Sequence, residues 1–204
     1  MKWLFFIVLL LAGNCYAQES NGRVGRKYRD SVARVNIQAV TEGCLLVRLR
    51  SDQKKIQALV KRGDTATANK EERKRELKHL EIVSAFNLNY TFSKVYYFYS
   101  HHSGRVRSGD FSGVLLDDLL TPVELELSQF LIVDPYSIEF LHMNSHQKGL
   151  SVLNKDLVQL EKPFPYYVRK REALFFLRRD HHTMVKILQK NFEFAVRKFG
   201  PGLK

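Results

Sequence analysis

Seven histidines and a few aspartates are the residues of this chain best equipped for chemistry. His101-His102 and His181-His182 are adjacent pairs, whose side chains diverge on a strand or helix and seldom share one ion. His142 and His146 stand four apart and would converge on a helix, but Asn144-Ser145 and Gly149 predict a loop there. No HExxH is present and no carboxylate follows at a ligand spacing, so no metal or other cofactor is expected. A zinc or copper site gathered from distant histidines is the alternative. Among the acids, Asp110, Asp117, Asp118 and Asp134 stand out, and Asp134 closes an apolar run, where α/β proteins place functional side chains. Asp134-Pro135 also has the makings of a simple turn. His101, Asp110 and Asp134 are therefore the candidates for acid–base catalysis. GxSxG, GxGxxG and GxxxxGK[ST] are all missing, so neither a nucleophile elbow nor a phosphate-cradling loop is expected. Asn89-Tyr90-Thr91 matches the short glycosylation sequon.

These residues need elements to hold them. Residues 18–34 are polar and basic, with Asn21-Gly22 and Gly25 as breakers, and read as a flexible lead-in. Val35, Ile37 and Ala39 alternate with polar neighbours, and Thr41-Glu42-Gly43 turns the chain into the apolar run Cys44 to Leu49, a predicted hairpin. Ser51 or Asp52 can cap a helix carrying Ile56, Leu59 and Val60, which Gly63 stops; Asp64 or Thr65 can cap the next. That second helix is heavily charged from Lys70 to Glu76 and is expected to bury Leu77, Leu80, Val83 and Phe86, completing a helical hairpin. Val95 to Tyr99 is the strongest strand signal. A long loop should follow, marked by Ser103-Gly104 and Ser108-Gly109-Asp110, then a short surface element at Val114-Leu115-Leu116.

Phe130 to Val133 reads as a buried central strand, and Ile138 to His142 as strand or turn. Gly149 to Leu160 reads as a hairpin tipped by Asn154-Lys155-Asp156, and Phe164 to Val168, fenced by Pro163 and Pro165, as an edge strand. Asp180 can cap a last helix with Val185, Leu188, Phe192, Ala195 and Phe199 on one face. This order predicts one α/β or α+β domain over residues 35–204, with a mixed sheet, a helical hairpin and a C-terminal amphipathic helix.

The first seventeen residues have the layout of an export signal: Lys2, the apolar run Trp3 to Ala12, and a short exit through Cys15 to Ala17. Cleavage near Ala17 would leave 187 of the 204 residues, enough for one core, and hydrophobic content of 45% suits a packed domain. A retained anchor, or lipidation at Cys15, is the competing expectation. The formal charge of +12 includes only Lys2 from this segment, so the mature chain keeps a large basic surplus and should favour anionic partners. For an exported protein, an anionic envelope component or membrane surface comes before nucleic acid. Cleavage also leaves Cys44 as the one cysteine, without an internal disulfide partner and expected to be a small buried hydrophobe.

Two resemblances accompany these residues. Leu131 to Asp134, the hairpin around Asn154-Lys155-Asp156 and the closing helix are similar in pattern to the second half of thioredoxin-like domains, but no CxxC is present, which implies that fold without its redox chemistry. Leu45-Leu46-Val47-Arg48-Leu49, Val95 to Ser100 and Lys162 to Val168 resemble signature segments of an uncharacterised family of small exported bacterial proteins, which implies an exported single domain and no particular activity.

The expectation for function is an exported, non-enzymatic periplasmic or envelope-associated protein that binds an anionic or protein partner. Phe164, Tyr166, Tyr167, Arg169, Lys170 and Arg171 are its expected contact surface, because aromatics there run into cations. The alternatives are a hydrolase or transferase built on His101, Asp110 and Asp134, and a peripheral membrane-surface protein.

Overall fold

The near-continuous apolar run Cys44-Leu45-Leu46-Val47 suits a strand buried on both faces, and it occupies the centre of the sheet. The computed structural model describes residues 25–140, 145–171 and 179–200. The export-signal segment and His142 lie outside the described residues.

Among the described residues five α-helices and eight strands make a mixed α/β domain, as expected. In chain order they are α1 (residues 25–41), β1 (Cys44–Leu49), α2 (Gln53–Lys61), α3 (Thr65–Asn89), β2 (Lys94–Tyr99), a 3-10 turn (Ser100–His102), α4 (Ser103–Ser108), β3 (Leu115–Leu116) and β4 (Pro122–Val123). Then follow β5 (Phe130–Asp134), β6 (Ser137–Phe140), β7 (Ser145–Leu153), β8 (Tyr167–Arg169) and α5 (His181–Phe199). β1 pairs in parallel with β2 on one side and β5 on the other. Beyond β2 come β3 and β4, antiparallel; beyond β5 comes β7, antiparallel.

β5 and β6 meet β7 in one unbroken register. Asp134 lies opposite Ser151 and Ser137 opposite Lys148, three residues further along both strands. They are one strand interrupted by Pro135-Tyr136, and proline cannot donate to a ladder. β8 pairs with β7 at Gly149 to Ser151.

The alternation of side chains splits the core in two. Leu45, Val47 and Leu49 join Tyr97, Leu131 and Val133 under the helices α1, α3 and α5. Cys44 and Leu46 join Phe98, Val106 of α4, Phe111, Val114, Leu115 and Ile132 on the other face.

Several local expectations need correction. Residues 25–41 form a helix, where a flexible lead-in to Arg34 and an alternating strand after it were expected. The three-residue alternation at Val35, Ile37 and Ala39 is outweighed by the longer spacing Ala33, Ile37, Val40, which is buried, while Val35 faces solvent. α3 buries His79, Ile82, Val83 and Phe86 and leaves Leu77 and Leu80 exposed at 68% and 58%, because the contact with α5 and the sheet selects a stripe offset from the leucines. α2 buries no residue fully, and Asp52 at its start makes no capping bond. Asp64 does cap α3, accepting from Thr67 N–H at 3.0 Å. The stretch expected as a long loop after β2 is partly α4, anchored by the buried Val106 and ended by Gly109 at φ 79°. Val114 to Leu116, expected on the surface, are buried.

The last helix follows its expectation: Asp180 accepts from Thr183 N–H at 2.8 Å, and Val185, Leu188, Phe192 and Ala195 are buried. Among the described residues no helix is long and apolar enough to cross a membrane.

Candidate functional site

β1 leaves the sheet at Leu49, and the next two residues lose the ladder that would satisfy their backbone. Four side chains from three places replace it. Tyr136 Oη accepts from Arg50 N–H at 3.2 Å, and Arg50 C=O accepts from His79 Nε2–H at 2.9 Å. Ser100 Oγ accepts from Ser51 N–H at 3.0 Å, and Ser51 C=O accepts from Arg75 Nη1 at 2.9 Å. The exit of the central strand is thus fixed by α3, by the turn after β2 and by the break after β5.

This exit floors a two-lobed cleft at the carboxyl ends of the parallel strands, the usual place for ligands in open α/β sheets. The first lobe encloses about 460 Å³ and includes Ser51, Arg75, Glu76, His79, Leu80, Tyr99, His101 and Leu120 in its wall. The second, about 310 Å³, is lined by Arg50, Asp52, Lys55, Glu71, Lys74, Arg75, Lys78, His79 and Tyr136. Arg75 and His79 belong to both.

Electrostatics separate the lobes. His79 is buried, and burial holds its imidazole below the ordinary range, so its Nε2–H donates as a neutral ring. It brings no charge to the first lobe, where Arg75 faces Glu76. In the second lobe five cationic side chains face two carboxylates. Lys55 is paired with Glu71 at 2.7 Å, and that hydrogen bond lowers the Glu71 carboxyl. Arg75 is held by Glu72 at 3.0 Å, and its Nε finds no acceptor among the described residues. Arg50 lies over the Tyr136 ring at 4.5 Å, and neither it nor Lys74 has a carboxylate partner among the described residues.

His101, one expected catalytic residue, reaches this cleft. Its ring stacks on Tyr99 with 5.8 Å between centroids and 10° between planes. Asp110 does not come with it; it pairs with Arg105 at 2.7 Å beyond α4. Asp134 is buried behind the cleft, bound to Arg48 at 3.1 Å and accepting from Tyr136 N–H at 2.9 Å. Arg48 also reaches Ser103 Oγ at 3.1 Å, so this pair braces the strand ends. His101, Asp110 and Asp134 therefore do not form one constellation. Cys44 sits at the opposite end of β1, where burial pushes its thiol up to about 12.

The expected contact surface divides as well. Phe164 is buried, 5.5 Å from Phe192 between ring centroids, so it cannot meet a partner; its flanking prolines turn it inward. Tyr166, Tyr167 and Lys170 are half-buried, and Arg169 and Arg171 exposed. The sequon asparagine is committed too: Asn89 Nδ2 donates to Ala85 C=O at 2.8 Å and faces His182 Nδ1 at 3.2 Å. No group of three or more metal-ligating side chains is assembled among the described residues.

Sequence reasoning missed His79, Arg75, Ser51 and Ser100. One signal was present: Arg75 and His79 are four apart on α3, in line with Val83 and Phe86, so the inward-facing stripe carries a half-buried and a buried polar residue needing partners.

A second buried histidine bears on stability. His181 Nδ1 lies 2.6 Å from Glu81 Oε1 and 3.1 Å from Lys78 Nζ, so the ring joins a cluster of charged groups. Lys78 donates to the other Glu81 oxygen at 3.0 Å. Burial holds His181 below the ordinary imidazole range, as it does His79. Unfolded histidines titrate near 6.5, so below about that pH the unfolded chain binds protons that the folded chain refuses. Stability should be complete above that pH and fall as pH drops below it. Thermal midpoints from pH 7.5 to 5 test this: a decline is expected, weaker in the variant combining His79→Gln and His181→Gln. An equal slope in that variant would contradict it.

Fold and cleft together define a class: a mixed α/β domain with a polar, two-lobed cleft at the carboxyl ends of its parallel strands. Comparison with family models, curated proteins and solved structures gave no match for the chain.

Proposed function

We infer that this is an exported, non-enzymatic binding protein that engages an anionic partner through the second lobe of its cleft. The observation that carries the reading is the pairing state there: among the described residues Arg50 and Lys74 line the lobe without carboxylate partners, next to Lys55, Arg75 and Lys78, each paired with one glutamate. Cations gathered around one lobe in excess of their carboxylate partners are electrostatically open to an anion. The rigid strand exit supports the same reading, since a fixed floor lowers the ordering cost of binding. Export rests on the layout of the first seventeen residues.

Charge reversal tests the site. On a phosphate-bearing cation exchanger, Lys74→Glu and Arg50→Glu should each lower the eluting salt concentration more than Lys190→Glu on α5, whose side chain is also exposed but lines neither lobe. Equal losses in all three would mean that only net charge matters. The address has its own check. The mass of the secreted protein should correspond to a chain beginning at Gln18, and a retained Met1 would refute the export reading.

A further inference from the structure

The two lobes are unlike and share a wall, so one ligand of modest length would touch both. We propose that the cleft takes an organic phosphate or sulfate monoester, with the anionic head in the second lobe and an aromatic body in the first. This rests on the anionic reading of the second lobe given above.

The first lobe sets an apolar, flat surface beside its polar groups Ser51, Gln53, Arg75, Glu76 and His79. Tyr99 and His101 present a near-parallel stack at its edge, 10° apart, and Leu80 and Leu120 face into the same space. Leu80 is 58% exposed. A single exposed leucine means little by itself, but this one lines a cleft together with Leu120 and two aromatic rings.

Leu120 is also held at φ 60°, a left-handed conformation that side chains with a β-carbon rarely adopt. The Asp117 turn imposes it: Asp117 Oδ1 accepts from Leu119 N–H at 2.9 Å and Thr121 N–H at 2.8 Å. Such strain persists where the surroundings over-determine the position, and here it places an apolar side chain on the cleft wall. The neutral His79 at the junction donates away from the cleft, to Arg50 C=O, so the first lobe gains no cation from it. Both volumes lie in or near the range of small-molecule sites, whose usual build is an apolar wall with a few convergent polar groups.

Calorimetry on the full protein with three probes tests this: inorganic phosphate, 1-naphthyl phosphate and 1-naphthol. Naphthyl phosphate should bind at least about tenfold more tightly than either of the others. Lys74→Gln should weaken naphthyl phosphate and phosphate alike, whereas Leu80→Asn should weaken naphthyl phosphate alone. Both side chains are exposed, so the thermal midpoints of the two variants should match that of the parent. Naphthyl phosphate binding no tighter than phosphate overturns the aromatic assignment and leaves the anion site standing. Naphthol binding as tightly as naphthyl phosphate overturns the head-group assignment. Absence of binding by both phosphates removes the anion site itself.

Discussion

Gly43→Ala should destabilise the fold by about 3 kcal/mol, the upper end of what forcing atoms into a packed site costs. A β-carbon there would run into the carbonyl oxygens of Ala39 and Gln129, both backbone, so neither can swing aside as a side chain would. Gly43 sits where α1 ends and β1 begins, and Cys44 N–H donates to Gln129 C=O at 3.3 Å beside it. The added carbon must therefore separate the end of α1 from the approach to β5. The control is Gly104→Ala in α4, where a β-carbon meets nothing within contact distance. Removing glycine from a helix there should be neutral, or stabilising by up to about 1 kcal/mol. Urea denaturation of both variants measures the difference, and a Gly43→Ala midpoint equal to the parent's would refute the close packing.

Phe192→Ala should cost about 3–5 kcal/mol, as deletion of a fully buried aromatic does. The Phe192 ring is the hub of the aromatic cluster under α5, with centroids 6.2 Å from Tyr90, 6.0 Å from Phe92 and 5.5 Å from Phe164. Those rings come from the end of α3, the turn before β2 and the segment before β8, so the cavity would loosen three connections at once. At this chain length such a loss lowers the thermal midpoint by roughly 10 °C. Phe194→Ala, on the same helix but 66% exposed, should change stability by less than about 0.5 kcal/mol. Similar effects from the two substitutions would mean that α5 does not dock by this face.

What the sequence made legible follows how local the signal is. α5 was readable because cap, stripe and stop all lie within one helix: Asp180, then Val185 to Ala195, then Gly200. β1, β2 and β5 were readable because burial on both faces demands continuous apolar runs. α1 was not, because three alternating residues fit a strand and a helix equally well, and only Ala33 with Val40 decides between them. The cleft was the least legible feature. Its floor joins Arg50 to Tyr136 across 86 residues and Ser51 to Ser100 across 49, and nothing within either segment announces the other. His79 was hidden for a different reason: it lies in a run of charges that looks like solvated surface, while its ring points inward to Arg50 C=O. Phe164 was misread in the opposite direction, since prolines and aromatics in sequence look alike whether they seal a core or meet a partner.

The place of β1 at the centre of the sheet has a consequence for how the molecule is made. β1 leaves the ribosome before either of the strands that flank it, and the second of these, Phe130–Asp134, comes after most of the domain's first two-thirds. Throughout that interval Cys44 to Val47 is a short apolar β-former with an open edge, the kind of segment that pairs with another chain when its own partner is late. Folding of this domain is therefore gated by the arrival of β5, and a chain truncated before Phe130 should aggregate.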